Sequence, residues 1–334
     1  MTATTSGTVG LTTVDVTTLI EHAFRRCGKM PSTISSEQQL AAKESLFFLL
    51  TDLVNDGINL WCVQKAILPL IAGKSNYVLP PGANKVLTCN YRTQQALASS
   101  STVSGAGYYG QVFASVVSPT NVQVAFSAAG TPNLLIEYSQ DGSTWVLSGQ
   151  FPTQQVAVPA GTAIAADLDQ TTPALYWRVR DASGTLLGVS ALVFSSGPSE
   201  IPMADMNRDD YFSLPNKTFQ ANKSLQYWFD KQIVPQIWLW PVPNTGDQVT
   251  AEIYRQIQDV GAFTNKLEVP QRWYEYVIFA LAEKLFIELP TGEGDPRRLE
   301  YLERKVAYHL DRAANGESDG APIKLQPNIR RYTR

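Results

Sequence analysis

The sequence predicts an α+β protein: a four-helix bundle frame with a small antiparallel β element, which carries an inserted antiparallel β-sandwich domain. Three observations predict it. Apolar residues recur at helical spacing towards both ends of the chain, strand-like alternation fills the centre, and composition changes sharply near residues 93 and 200. These breaks divide the chain into a discontinuous frame, 1–92 and 200–316, an insert, 93–199, and a C-terminal arm, 317–334.

The first helix is written in Val16, Leu19, Ile20, Ala23, Phe24 and Cys27, which follow the i, i+3, i+4, i+7 spacing of one helix face. Ser35 and Gln38 form a capping-box pair, because each side chain can reach the other residue's backbone N–H. The helix after them buries Ala42, Leu46, Leu49, Leu50 and Leu53 and stops at Gly57. Strands are expected at 60–70, 77–79 and 85–88, around turns at Gly73 and Pro81-Gly82, and again at 225–231, 236–240 and 248–256. Pro270 opens a helix running through 272–288. Asp295-Pro296 opens another, with an apolar line of Leu299, Leu302, Val306, Leu310 and Ala313 that ends at Gly316.

The insert has no lysine, two arginines (Arg178 and Arg180) and five acids, whereas the other 227 residues hold 25 basic and 25 acidic side chains. Alternating runs at 111–117, 121–126, 133–138, 155–158 and 175–179 are separated by turns about ten residues apart, the pattern of an antiparallel sandwich. Asp141-Gly142, inside the run from Tyr138 to Trp145, is a hairpin signal because glycine tolerates positive φ. Asp181 to Gly184 marks a second turn.

The catalytic inventory is thin. His22 stands beside Arg25 and Arg26 on a polar helix side, and His309 lies at an apolar helix edge; neither has a Cys, Ser or acid at a suggestive spacing. There is no CxxC, HxxxH or GxxxxGK[ST], so no metal or cofactor is expected, and no enzyme activity. Gly105, Gly107 and Gly110 in SGAGYYG spell G-x-G-x-x-G, but a polar stretch precedes them and strand-like residues follow. The reading is a flexible glycine loop rather than a dinucleotide site. Three cysteines suggest a reducing compartment, and no secretion signal is expected from MTATTSGTVG. The apolar run 276–282 is far short of a membrane span, and a net charge of -3 does not suit a protein that grips phosphates.

Trp238 and Trp240 share one strand face by period two, with Ile237 and Leu239 on the other and Tyr227 and Trp228 just upstream. Such aromatics suit a core, a subunit interface or a sugar platform. The stretch from Asp205 to Pro243 contains Arg208-Asp-Asp-Tyr211, Leu214-Pro-Asn-Lys217, Gln226-Tyr-Trp-Phe-Asp-Lys-Gln232 and Leu239-Trp-Pro-Val-Pro243. Together with Leu60-Trp61, Tyr77-Val-Leu-Pro80 and Val269-Pro-Gln-Arg-Trp-Tyr274, it resembles the head-to-tail adaptor proteins of short-tailed bacteriophages over the whole frame.

That resemblance implies a structural virion protein of the tail neck, made in the host cytoplasm. It would form a ring, a dodecamer on the portal protein, join the tail nozzle protein below, and pass DNA without sequence-specific binding. Tyr227, Trp228, Trp238 and Trp240 would then serve a subunit or core interface. The arm would dock on the portal through Ile323, Leu325, Ile329, Arg330, Arg331, Tyr332 and Arg334, its apolar residues giving burial and its arginines pairing with carboxylates. Residues 93–199 could contact tail fibres. The alternative reading is a carbohydrate- or receptor-binding tail component acting through the inserted sandwich. Its support is the run from Tyr138 to Trp145 followed by Tyr176-Trp-Arg-Val-Arg180, which looks like discoidin-like or immunoglobulin-like surface modules.

Overall fold

The computed structural model describes residues 13–55, 60–152, 157–168, 172–185, 188–288 and 296–317. Two compact units emerge, one formed by 1–62 with 256–334 and the other by 63–255. The class is mixed helix and sheet. The helices are α1 (Val16–Cys27), α2 (Ser36–Asn55), α3 (Arg208–Ser213), α4 (Tyr274–Glu288) and α5 (Pro296–Asn315).

In the helical unit, α4 is the hub. It is apolar nearly all round, with Tyr276 to Ala282 and Leu285 buried, and α1, α2 and α5 all pack on it. The six residues that predict α1 are all buried. Asp15 caps its start by accepting from the Thr18 N–H at 2.7 Å, and Gly28 closes its end at φ 89°, where a side chain would be strained. The Ser35–Gln38 capping box forms as expected: the Gln38 N–H donates to Ser35 Oγ at 3.2 Å, and the Ser35 N–H donates to Gln38 Oε1 at 3.4 Å. On α5, Leu302 and Ala313 are buried, and His309 stacks on Phe279 with centroids 5.0 Å apart. The first residue after Gly316, Glu317, is buried and accepts hydrogen bonds from Arg272 and from Trp273 Nε1, the latter at 2.9 Å. Residues 318–334, which include every portal-docking residue predicted above, lie outside the described residues.

The second unit is built of strands. They begin with β1 (Val63–Pro69), β2 (Asn76–Val78), β3 (Ala83–Ala96), β4 (Ser101–Gly105), β5 (Tyr108–Val117), β6 (Asn121–Phe126), β7 (Leu134–Ser139), β8 (Val146–Gln150) and β9 (Ala163–Asp167). They continue with β10 (Ala174–Asp181), β11 (Val189–Pro202), β12 (Ala204–Asp205), β13 (Gln220–Ala221), β14 (Gln226–Asp230), β15 (Gln236–Trp240), β16 (Val242–Pro243) and β17 (Gln248–Arg255). Residues 60–62, expected to begin β1, instead form a 3₁₀ turn.

A six-stranded sheet runs in the order β1-β17-β3-β11-β6-β9, and a five-stranded sheet in the order β4-β5-β10-β7-β8. Their facing sides make one core. Phe113, Ile136, Trp177 and Val179 from the five-stranded sheet meet Val122, Val124, Phe126, Leu192 and Phe194 from the other. This is the β-sandwich, with the alternating inward residues that the sequence shows.

The composition breaks fall inside continuous strands. Thr93 of β3 is the register partner of Ser199 of β11, and both strands, 14 residues long, run on past those positions. One sheet therefore carries both insert and frame residues. Its frame end packs against the four-stranded sheet β12-β14-β15-β2 through Tyr91, Val249, Ala251, Tyr227, Ile237 and Leu239.

The reverse face of the six-stranded sheet is polar. It curls until β1 and β9 meet in an ion pair, Lys65 Nζ to Asp167 Oδ2 at 2.5 Å. Arg92, 3% exposed, bridges Asp167 and Glu200, both at 2.5 Å. Asn121 donates to Asp167 and accepts from Gln94 and Gln248, so charges and amides are tied into one network.

Candidate functional site

The predicted interface aromatics separate onto two sides of β14 and β15. Ile237, Leu239 and Tyr227 face the core beneath, whereas Trp228, Trp238 and Trp240 face the other way, as the period-two reading requires. Their outer face is not a free platform. Asn207 caps the short helix α3 by accepting from the Asp210 N–H at 2.8 Å. The helix then lays Tyr211 over both indoles, 5.1 Å from Trp228 and 5.7 Å from Trp238. Trp240 is held by its Nε1 donating to the Asn216 carbonyl at 3.1 Å. A sugar ring would have to displace Tyr211.

A second aromatic surface, carrying residues of the two runs on which the alternative sequence reading rests, lies on the outer face of the five-stranded sheet. Along β10, Trp177, Val179 and Asp181 point inward, so Tyr176, Arg178 and Arg180 point outward. Their register partners on β7 are Ser139, Glu137 and Leu135, and on β5 they are Val112, Gly110 and Tyr108. Glu137 and Arg178 thus sit side by side at the centre of the sheet.

The geometry there is fixed on every side. Nε and Nη2 of Arg178 both lie 2.7 Å from Glu137 Oε2, and Arg180 Nε donates to Oε1 at 2.9 Å. The Arg178 guanidinium carbon is 3.8 Å from the Trp145 ring centroid and 4.8 Å from that of Tyr108, so the cation is clamped between two rings. Among the described residues no other ring stacks on Trp145 or Tyr108.

Glycines make the seats for these flat groups. A Cβ at Gly110 would stand 2.6 Å from the Trp177 carbonyl and 2.7 Å from Arg178 Cβ. One at Gly105 would stand 2.5 Å from the Tyr108 ring, and one at Gly142 would stand 3.1 Å from the Tyr176 ring. The SGAGYYG stretch is accordingly a β4–β5 hairpin and not a flexible loop. The loop that carries Trp145 joins β7 to β8, the hairpin marked by Asp141-Gly142, with Gly142 at φ 74°. Asp141 organises it by accepting from the N–H groups of Ser143 and Thr144 at 2.9 and 2.8 Å. Those bonds to its charged form hold the Asp141 carboxyl well below the usual range.

Elsewhere the chemistry is sparse. His309, stacked on Phe279, has its pKa lowered by burial. Cys27 and Cys89 are pushed up by burial, Cys27 to about 11, so neither is a nucleophile at neutral pH. Among the described residues, no group of three or more His, Cys, Asp and Glu side chains could hold a metal ion, and no helix is long and apolar enough to cross a membrane.

No family model and no curated protein matches the chain. Similar solved structures include a glycoside hydrolase at 17% identity and TM-score 0.19, with 26% of this chain aligned to 18% of that one. Another is the C-terminal domain of a chitobiase from Bacteroides fragilis, at 15% identity and TM-score 0.20, covering 28% of this chain and 64% of that one. A third is a chitosan-binding module from a Paenibacillus sp. IK-5 chitosanase/glucanase, at 13% identity and TM-score 0.22, covering 36% of this chain and all of that one. The chain thus spans less than two thirds of the first two, and a likeness at this level assigns no activity. These neighbours are glycan-related chains and not phage adaptors, which corrects the head-to-tail adaptor reading of the sequence, with its connector, portal-binding and ejection roles.

Proposed function

We propose that the chain is a carbohydrate-binding protein that takes a glycan on the outer face of its five-stranded sheet. The observation that carries this is the Tyr108–Arg178–Trp145 stack fixed by Glu137. A sugar presents an apolar face of C–H groups and a rim of hydroxyls. Aromatic rings bury the first, and a held guanidinium and carboxylate accept or donate to the second. Arg178 and Glu137 are paired before any ligand arrives, so ordering them costs the complex little. Trp145 sits on a hairpin loop fixed by Asp141, a rigid support for a binding side chain. The helical unit is read as a four-helix bundle centred on α4.

The test is calorimetric titration of the full-length protein with a panel of soluble polysaccharides, alongside the Trp145→Ala variant. Binding that weakens about tenfold or more in the variant, while its thermal unfolding stays cooperative, supports the reading; tenfold corresponds to about 1.4 kcal/mol. No binding to any glycan, or binding indifferent to Trp145, overturns it.

A further inference from the structure

We infer that the glycan is acidic, a uronic-acid chain whose carboxylate is taken by Arg180. This rests on the outer face being the glycan surface, and it adds the ligand's charge.

Arg178, 14% exposed at its side chain, has Nε and Nη2 on Glu137 and its guanidinium carbon over the rings of Trp145 and Tyr108. Glu137, 9% exposed at its side chain, has both oxygens occupied, one by each arginine. Asp141 is satisfied within its own turn by Ser139, Ser143 and Thr144. Asp181 is buried on the opposite side of β10, where it accepts from Asn133 and Ser183. Arg180 differs. Its side chain is 36% exposed, and only Nε has a partner among the described residues. Both terminal nitrogens are therefore available beside Tyr108, its register partner on β5.

Arg180 is thus the cation on this face whose two terminal nitrogens have no carboxylate among the described residues as partner. A guanidinium end with two free N–H groups matches the planar, bidentate shape of a carboxylate better than it matches a single hydroxyl. A sugar ring stacked on Tyr108 or Trp145 would bring its carboxylate within reach of Arg180, whose strand partner on β5 is Tyr108. The insert has no lysine, so Arg180 has no neighbouring lysine within it to take over this role.

The experiment titrates the full-length protein with polygalacturonate, alginate and hyaluronan, each beside its methyl-esterified form, which keeps the sugar backbone but removes the charge. The expected result is at least tenfold tighter binding of an acidic form than of its ester, weakening with added salt. In Arg180→Gln the acidic form should fall to the affinity of its ester, and Arg180→Lys should recover part of the difference. Equal binding of acid and ester overturns the inference while leaving the glycan surface standing. A preference that survives in Arg180→Gln overturns it as well, as does binding to a sulfated chain without binding to any uronate. No binding to any form, charged or esterified, overturns both readings.

Discussion

Arg178 holds its guanidinium carbon 3.8 Å from the centre of the Trp145 ring, joining the middle of β10 to the loop between β7 and β8. The residue opposite Arg178 on β5 is Gly110. A side chain at Gly110 would meet the Trp177 carbonyl and the Cβ from which the Arg178 side chain starts.

Gly110→Ala should therefore destabilise the sandwich. The added methyl meets a backbone carbonyl, which cannot swing aside as a side-chain end can. Overpacking of this kind costs about 1–3 kcal/mol. Urea unfolding should show a lower midpoint with an unchanged slope; an unchanged midpoint would mean that β5 and β10 separate without cost.

Acid should weaken the curled sheet. Burial pushes the Asp167 carboxyl up, but hydrogen bonds from Arg92, Lys65 and Asn121 outweigh it and bring it down to about 2. Glu200 is lowered in the same way, with Arg92 outweighing burial. A carboxylate whose folded pKa lies below its unfolded value of about 3.9 binds fewer protons when folded. Its contribution is complete above that unfolded value and is lost as pH falls from about 4 through about 2. The urea midpoint should drop over that window in the native chain and drop less in Asp167→Asn, which starts lower because Arg92 keeps one partner fewer. Parallel pH curves for the two proteins would contradict this.

Glu317 should matter to the helical unit although it follows the last helix. It is the acceptor for Trp273 Nε1, and Trp273 is fully buried. Glu317→Ala leaves that indole N–H without its partner and removes the ion pair to Arg272, a loss of about 1–3 kcal/mol. Truncation after Asn315 should do the same, whereas truncation after Glu317 should not. Thermal unfolding of the three proteins separates these outcomes.

What the sequence displays well is local. The α1 face, the Ser35–Gln38 cap and the two sides of β15 each depend on residues a few positions apart, so periodicity and spacing reveal them. The strand β11 was hidden, because Ser195 to Ser199 with Gly197 and Pro198 reads as a loop. It is a strand because β3 and β6 flank it, with a bulge absorbing the glycine and proline. The helix α3 has only six residues, too few to display a helical period, although Asn207 before Arg208-Asp-Asp is an N-cap signal. Glu317 was read as the start of an arm because its partner, Trp273, lies far away in sequence.

The candidate site was legible only in fragments. Tyr138 to Trp145 and Tyr176 to Arg180 stand out by themselves, but neither shows that Arg178 reaches Trp145 and Tyr108 together. That depends on β5, β10 and β7 lying side by side, a long-range pairing that no spacing rule states. The glycines of SGAGYYG spell G-x-G-x-x-G but lie in the β4–β5 hairpin. Gly105 leaves room for the Tyr108 ring, Gly107 for the Gly184 carbonyl, and Gly110 for the Trp177 carbonyl and Arg178 Cβ.

The central claim is that a glycan meets Trp145, and fluorine NMR of the chain labelled with 5-fluorotryptophan tests it most directly. The seven tryptophans give seven resonances, and Trp145→Phe assigns one of them by its disappearance. On titration with a bound polysaccharide, the account predicts that the Trp145 resonance shifts while those of Trp228 and Trp238, covered by Tyr211, stay in place. A shift at Trp228 or Trp238 with Trp145 unmoved would contradict it and place the sugar on the other aromatic face.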